Sequence, residues 1–385
     1  MEHNSSSLPK KSKMKVGLIY YKYPIYDGGS HITDLVNNIA ERVEKVVLIS
    51  THSPKVDFVK PKNLSLLWIP SFKLPWLDGL YFTFMSLFHM LLSKDLREVD
   101  IINVICARGI IPAYAYSKIC NKRLFCTIEL INNPTLGGKD KIAYWFQKAM
   151  YTIPRFTKII CWSKYHYQKY LTAWGIKETD IAYIPNGINV NQYSPLVSGE
   201  EIRKKILKHE FLIVFAKPLY SYNKEAAKLL VKILPKLRHD VQLVLGMGPY
   251  KRELDVLISE LNMSAKVTYM PNVPMTDIPN YLAASDIIVL PYLYEATVSR
   301  SLIEAMAMAK PIIVSGLGEP PLILENNQSA IICEPEANTL ARAVDLLLAD
   351  PNLRKRLGNN ARNKCLKDYN ILSVAQNTVK LYESI

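Results

Sequence analysis

The feature that most constrains this chain is a rhythm. Short apolar runs, many of them β-branched, alternate with stretches of helical periodicity along the whole sequence. In the first half the runs are KVGLIYY, KVVLIS, LSLLWIP, DIINVI, RLFCTIEL, KIICWS and DIAYIP. In the second they are FLIVFAK, VQLVLG, KVTYM, DIIVLPY, PIIVSG and AIICEP. Most are apolar at consecutive rather than alternate positions, as a strand must be when helices cover its sheet on both faces. Segments such as NKEAAKLLVKILPKL and PYKRELDVLISELNM supply the helices. The pattern predicts α/β architecture: two doubly wound, Rossmann-like units. A length of 385 residues, at roughly 150 per domain, allows both.

The strand pattern stops in PNGINVNQYSPLVSGE, so the link falls near residues 187–199. We expect a disordered tail over 1–13, an N-terminal domain over 14–190 and a second domain over 191–368. A C-terminal helix over 369–385 is expected to pack back on the first domain. Open sheets of this kind bind ligands at the carboxyl ends of their strands, so a cleft between the domains is the expected site.

Composition narrows the function classes. Hydrophobic residues make up 49% of the chain and mean hydropathy is +0.03, ample for two cores. No run reaches the roughly 20 apolar residues that cross a bilayer. The nearest, Leu80 to Leu92, carries Thr83, Ser86 and His89 at every third position. It reads as a buried helix, with contact at a membrane surface as the alternative. The start, MEHNSSSLPKKSK, lacks the apolar core of a signal peptide, so a cytoplasmic location is expected. The six cysteines are scattered without a CxxC pair, and no histidine stands at ligand spacing, so neither disulfides nor a metal site are expected. Lys and Arg number 48 against 34 Asp and Glu, a formal charge of +14 that favours anionic partners or reflects a basic solvated surface. The basic residues are dispersed and no recognition motif accompanies them, which argues against nucleic acid.

Four stretches could carry chemistry. In YPIYDGGSHITDL, Gly28 and Gly29 clear side chains where a loop enters a helix, a pocket for an anion or sugar or an ordinary capped loop. In FAKPLYSYNKEAAKLL, Lys217 and Lys224 could straddle a diphosphate, or stand solvated. In LGMGPYKREL, Gly246 and Gly248 permit a close backbone turn beside a ligand or a sheet edge. No GxGxxG dinucleotide fingerprint occurs.

The fourth is LPYLYEATVSRSLIEAMAMAKPIIV: a strand, a loop and a helix. Ser301 and Glu304 have capping-box spacing, so Glu304 could serve its own helix start. It could instead accept two hydrogen bonds from a ribose diol, while amides around Val298, Ser299 and Arg300 face a phosphate. Glu295, in the loop, could bind sugar hydroxyls.

In this order and spacing the motifs resemble the retaining, metal-independent glycosyltransferases of the GT-B fold, family 4. The resemblance runs from Lys15 to the end. It is strongest in IAYIPNGINVNQYSP, in VQLVLGMGPYKRELDVLISELNMSAKVTYMPNV, and in YLAASDIIVLPYLYEATVSRSLIEAMAMAKPIIVS, which is similar to the family's Glu-x7-Glu region. It implies transfer of a sugar from a nucleoside diphosphate sugar, UDP- or GDP-linked, to an acceptor hydroxyl with retained configuration and no metal. Glu304 would hold the donor ribose and Glu295 the transferred sugar. Lys217 and Lys224 would neutralise the leaving diphosphate, Gly28 and Gly29 would line the donor, and Asn272 and Val273 would meet the base. Glu129, Asn132 and Asn133 fall on the acceptor side.

Several positions depart from the family pattern. Eight residues separate Glu295 from Glu304 where the family has seven. Lys217 stands for an arginine, two extra residues precede Lys224, Ala309 replaces a glycine, and Glu129 lies where a histidine is usual. These departures keep two other readings open, an attenuated binding or scaffold subunit and a nucleotide-sugar epimerase of the same fold. The aromatic segment SFKLPWLDGLYFTF and the positive charge suit a glycan or lipid-linked acceptor at an anionic membrane surface, with the chain peripheral on the inner face.

Overall fold

The structure, a computed structural model, describes residues 11–21, 31–51, 60–70, 75–134, 138–221, 223–295, 297 and 299–385. The tail read over 1–13 lies outside the described residues up to residue 10, and Ser12 already belongs to a strand. The chain forms two compact units, one of residues 1–187 with 371–385 and one of residues 188–370.

Unit 1 is a seven-stranded parallel sheet. Its strands are β1 (Ser12–Ile19), β2 (Val43–Thr51), β3 (Leu64–Ile69), β4 (Ile101–Val104), β5 (Arg123–Ile128), β6 (Lys158–Cys161) and β7 (Ile181–Tyr183), in the order β3-β2-β1-β4-β5-β6-β7. Val16 pairs with Val46 on one side and Ile101 on the other. The longer helices are α1 (His31–Arg42), α2 (Pro75–Leu92), α3 (Ile110–Ile119) and α4 (Gly138–Thr152), joined by the C-terminal helix Ile371–Glu383. Because the strands are apolar on both sides, each face needs its own helical cover. Val36 and Ile39 of α1, with Val374 and Val379 of the C-terminal helix, bury Val16, Leu18 and Val46. Phe82 of α2, Ala113 of α3 and Tyr151 of α4 bury the opposite face with Ile19, Val47 and Val104. The C-terminal helix is also pinned by polarity: Asn103 in β4 donates to the Tyr382 hydroxyl at 2.6 Å, and the Tyr382 ring meets Phe125 edge-on at 5.0 Å.

Helix α2 departs from the buried-helix reading. Its inward stripe is Asp78, Phe82, Ser86 and Met90, all 0% exposed. Its outward stripe is Leu80, Phe84, Phe88 and Leu92, exposed by 54, 70, 54 and 57%. Two of the four inward residues are polar and all four outward ones are apolar. Asp78 is accommodated by the Tyr21 hydroxyl, which donates to its carboxylate, whereas the Ser86 hydroxyl has no described partner.

Unit 2 repeats the plan with β8 (Phe211–Phe215), β9 (Val241–Gly246), β10 (Val267–Met270), β11 (Ile287–Leu290), β12 (Ile312–Ser315) and β13 (Ile331–Cys333). Their order is β10-β9-β8-β11-β12-β13, all parallel. The longer helices are α5 (Lys224–Ile233), α6 (Lys251–Glu260), α7 (Arg300–Ala307), α8 (Ala337–Ala349) and α9 (Pro351–Asp368). Every apolar run read from the sequence contains a strand, so the α/β architecture stands. The strand order reverses between β8 and β11, which pair directly. That crevice, at the carboxyl ends of the strands, is where a sheet of this order takes ligands.

Candidate functional site

Lys217 and α7 both follow strands of that crevice. Just past β8 the chain turns tightly, the Lys217 amide donating to the Phe215 carbonyl at 2.8 Å. The loop after β9 clamps this turn, with the Leu219 amide donating to Met247 O at 3.1 Å. The two glycines there are required by backbone contact. A Cβ at Gly246 would stand 2.2 Å from the Lys217 carbonyl oxygen, and one at Gly248 2.6 Å from the Leu219 amide. These contacts are with the backbone that follows β8, inside the sheet and not at its edge.

The Lys217 side chain is 9% exposed, and among the described residues no hydrogen bond or ion pair reaches its Nζ. It stands 5.0 Å from the ring centroid of Tyr292, itself buried. Burial pushes the Lys217 amine down to about 8, and the Glu304 carboxylate offsets only part of that. A cation buried without a hydrogen-bonding anion is a costly arrangement that a bound anion would relieve.

Glu304 is 5% exposed and lies inside α7 rather than at its start. The helix is capped by Ser299, whose Oγ accepts from the Leu302 amide at 3.3 Å and bonds the Tyr292 hydroxyl. The capping box read from Ser301 and Glu304 is therefore not formed. The Glu304 carboxylate instead accepts from Arg300 Nε at 2.7 Å, one helical turn away. Burial works against the Arg300 charge, but Glu304 and Tyr193 outweigh it and hold the guanidinium above its ordinary value. The Tyr193 ring lies 5.8 Å from that guanidinium, and its fully buried hydroxyl is pushed up by burial and then by Glu304. Arg362 ties this corner together, donating to the carbonyls of Ala307 and, at 3.4 Å, Tyr193.

The other residues read from the sequence are placed variously. Lys224 opens α5; its Nζ pairs at 3.3 Å with Glu253, a carboxylate it shares with Lys228, and lies 4.6 Å from the Tyr250 ring. Glu295 is half-buried in the loop after β11. Asn272 is exposed and Val273 half-buried in the segment after β10. Gly28, Gly29 and Val298 lie outside the described residues. In unit 1, Glu129 follows β5 and accepts from the Tyr20 hydroxyl at 3.2 Å. Asn132 is held by α4, its amide donating to Gln147 at 2.8 Å and its side chain to Asp140 at 2.9 Å. Asn133 is half-buried beside it. Among the described residues no His, Cys, Asp or Glu cluster could hold a metal.

The sequence reading missed three side chains that shape the cluster: Tyr193, Tyr292 and the Arg300 guanidinium. Arg300 and Glu304 do show i,i+4 spacing, which the capping-box spacing of Ser301 masked.

Comparisons with known proteins fall in the same two halves. Residues 28–192 match the family described as Glycosyltransferase Family 4, and residues 198–364 match Glycosyl transferases group 1. An uncharacterized glycosyltransferase of Methanocaldococcus jannaschii is 28% identical over 235 residues, 59% of this chain and 60% of that one. A UDP-Gal:alpha-D-GlcNAc-diphosphoundecaprenol alpha-1,3-galactosyltransferase of Escherichia coli is 24% identical over 59% of this chain and 60% of its own. The chain thus spans about three fifths of the length of these two relatives. Among solved structures, an Anabaena protein in complex with UDP superposes with a TM-score of 0.76 at 16% identity, covering 97% of this chain and 100% of its own. A sucrose-phosphate synthase of Thermosynechococcus elongatus gives 0.79 at 18%, covering 96% and 98%.

Proposed function

We propose that this chain, a GT-B glycosyltransferase of the family 4 type, transfers a sugar from a UDP- or GDP-linked donor to an acceptor hydroxyl, with retained configuration and without a metal. The observation that carries the reading is Lys217, a buried amine without a polar partner beside the start of α7, at the switch point of the unit 2 sheet. As the bond from sugar to diphosphate breaks and the bond from sugar to acceptor oxygen forms, negative charge gathers on the departing diphosphate. Lys217 and the first amides of α7 would stabilise that charge in a site of low polarity. Glu304 would take the ribose hydroxyls and Glu295 the transferred sugar. Asn272 and Val273 would meet the base, with Gly28, Gly29 and the Val298, Ser299 and Arg300 amides completing the donor site. Lys224 would join the diphosphate by giving up Glu253. On the acceptor side Glu129, Asn132 and Asn133 are the proposed contacts.

UDP in the Anabaena structure supports a nucleotide-sugar donor, and the diphosphoundecaprenol substrate named for the E. coli relative supports a glycan or lipid-linked acceptor. We place the chain at the inner membrane surface on that basis. Incubation with UDP-, GDP- and dTDP-sugars should give transfer or slow donor hydrolysis with one of them; neither, across the set, sinks the reading. Glu304→Ala should weaken donor binding about tenfold or more, the loss of charge-assisted hydrogen bonds.

One observation favours a second reading, the attenuated binding subunit. Arg300 already occupies the Glu304 carboxylate that a ribose would use. Nucleotide-dependent stabilisation without any turnover would select it.

A further inference from the structure

Arg300 stands at the first position of α7, where the unbonded amides of a helix start carry partial positive charge. Cations are favoured at the other end of a helix, so helix stability supplies no reason for one here. Lys217 brings a second cation to the same corner, and both feel the charge of Glu304. Among the described residues the Glu304 carboxylate hydrogen-bonds Arg300 alone. Two cations thus share one carboxylate, and the excess is positive.

The guanidinium is only partly used. Its Nε is given to Glu304 at 2.7 Å, while among the described residues neither Nη nitrogen makes a hydrogen bond. The Tyr193 hydroxyl, in a residue 0% exposed whose ring lies 5.8 Å from that guanidinium, has no hydrogen-bond partner either. The Arg300 side chain keeps 21% of its surface exposed against 7% for Glu304, so the unfilled side of the cluster is the one open to solvent. A polar cluster left half satisfied gains most from a ligand that completes it. The free fork of a guanidinium fits phosphate oxygens in pairs.

Charge then decides which ligand can enter. A neutral ribose diol brings nothing that draws a guanidinium off a carboxylate, whereas a diphosphate offers Arg300 a stronger partner than the one it leaves. We propose that Arg300 is a specificity-determining residue for the diphosphate: it holds Glu304 while no donor is bound, and turns its fork to the diphosphate when one arrives, releasing Glu304 to the ribose. This rests on the donor reading above, and it gives the Arg300 side chain a part that reading left to its backbone amide. A nucleoside without phosphates cannot complete the exchange, so it binds against the closed pair.

Titration calorimetry on the full chain tests the exchange, with uridine and UDP and with guanosine and GDP. Arg300→Leu should weaken binding of the diphosphate about tenfold or more, the loss of a charge-assisted pair. The same variant should tighten binding of the matching nucleoside about threefold or more, because Glu304 is no longer occupied. These opposite signs are what a merely structural role would not produce. Arg300→Lys, which keeps the charge and loses the fork, should restore part of the diphosphate affinity and return the nucleoside to the parent value. Adding Glu304→Gln to Arg300→Leu should remove the nucleoside gain. Affinities for nucleoside and diphosphate that fall together, or that both stay at the parent value, overturn the proposal and leave the donor reading in place. A parent chain that binds neither UDP nor GDP removes the donor reading and the exchange together.

Discussion

The two units share a strand order and differ in where they put their awkward groups. Unit 2 is close to neutral, 22 Lys and Arg against 19 Asp and Glu, and hides charge: Lys217 and Glu304 are nearly sealed. Unit 1 carries 26 against 15 and shows apolar surface instead, the outward stripes of α2 and α4. Both arrangements cost folding free energy, the first through desolvation of an amine and the second through hydrated apolar area. The fold keeps both costs, a buried amine in unit 2 and exposed apolar side chains in unit 1.

The largest expected effect tests the unit 1 side of this contrast. Phe82→Ala should destabilise the chain by about 3–5 kcal/mol, as a buried phenylalanine does. Phe84→Ala, one half-turn round the same helix, should stay within about 0.5 kcal/mol. Urea unfolding monitored by circular dichroism reads both. Similar losses for the two would mean that Phe84 supports the fold, and the contrast between the units would collapse.

The matching test in unit 2 separates activity from stability. Lys217→Met should lower donor turnover by about a hundredfold or more, the scale on which one transition-state donor acts. It should also raise stability by on the order of 2 kcal/mol, because the buried amine resists its own charge. Loss of both would make Lys217 a structural residue.

The same amine sets a pH dependence. The folded value is depressed, about 8 against an ordinary 10.5, so between those values the unfolded chain holds the extra proton. The cost of Lys217 to folding is complete below about pH 8 and is relieved as pH rises toward the ordinary value. A bound diphosphate favours the protonated amine, so donor affinity should fall as pH rises above about 8. Titration calorimetry across that range should show the inflection, and Lys217→Arg should abolish it; an inflection that survives would assign it elsewhere.

The strands were legible because a run such as VQLVLG is apolar at nearly every position, a local property that the covered sheet preserves. The site was legible only in part. Glu304 could be picked out, but its partner depended on where α7 begins, and a start at Arg300 rather than at Ser301 exchanges a backbone amide for a guanidinium. The isolation of Lys217 arises from a tyrosine 75 positions along the chain, beyond any local signal. Of the polar stripe read in α2, Thr83, Ser86 and His89, only Ser86 turns fully inward, because the buried face repeats at Asp78, Phe82, Ser86 and Met90. The Tyr21 hydroxyl, reaching Asp78 from the end of β1, accompanies the inward placement.

The smallest expected effect concerns the far end of the helix that carries Glu304. Ala309 sits at φ +52°, and Lys310 N bonds back to Ala305 O at 3.0 Å to close the helix. A left-handed conformation costs an L-residue roughly 1–2 kcal/mol, while glycine adds somewhat less than that in unfolded-chain entropy. Ala309→Gly should therefore stabilise unit 2 by about 0.5 kcal/mol. Gly358 allows no such freedom, since a Cβ there would stand 2.1 Å from the Ala309 carbonyl oxygen; Gly358→Ala should destabilise. Because the turn lies at the opposite end of α7 from Ser299, donor binding by Ala309→Gly should match the parent. A stabilised variant with altered donor affinity would show that strain at this turn reaches the start of α7, and unit 2 would then be a less rigid holder of its buried charges than the contrast with unit 1 assumes.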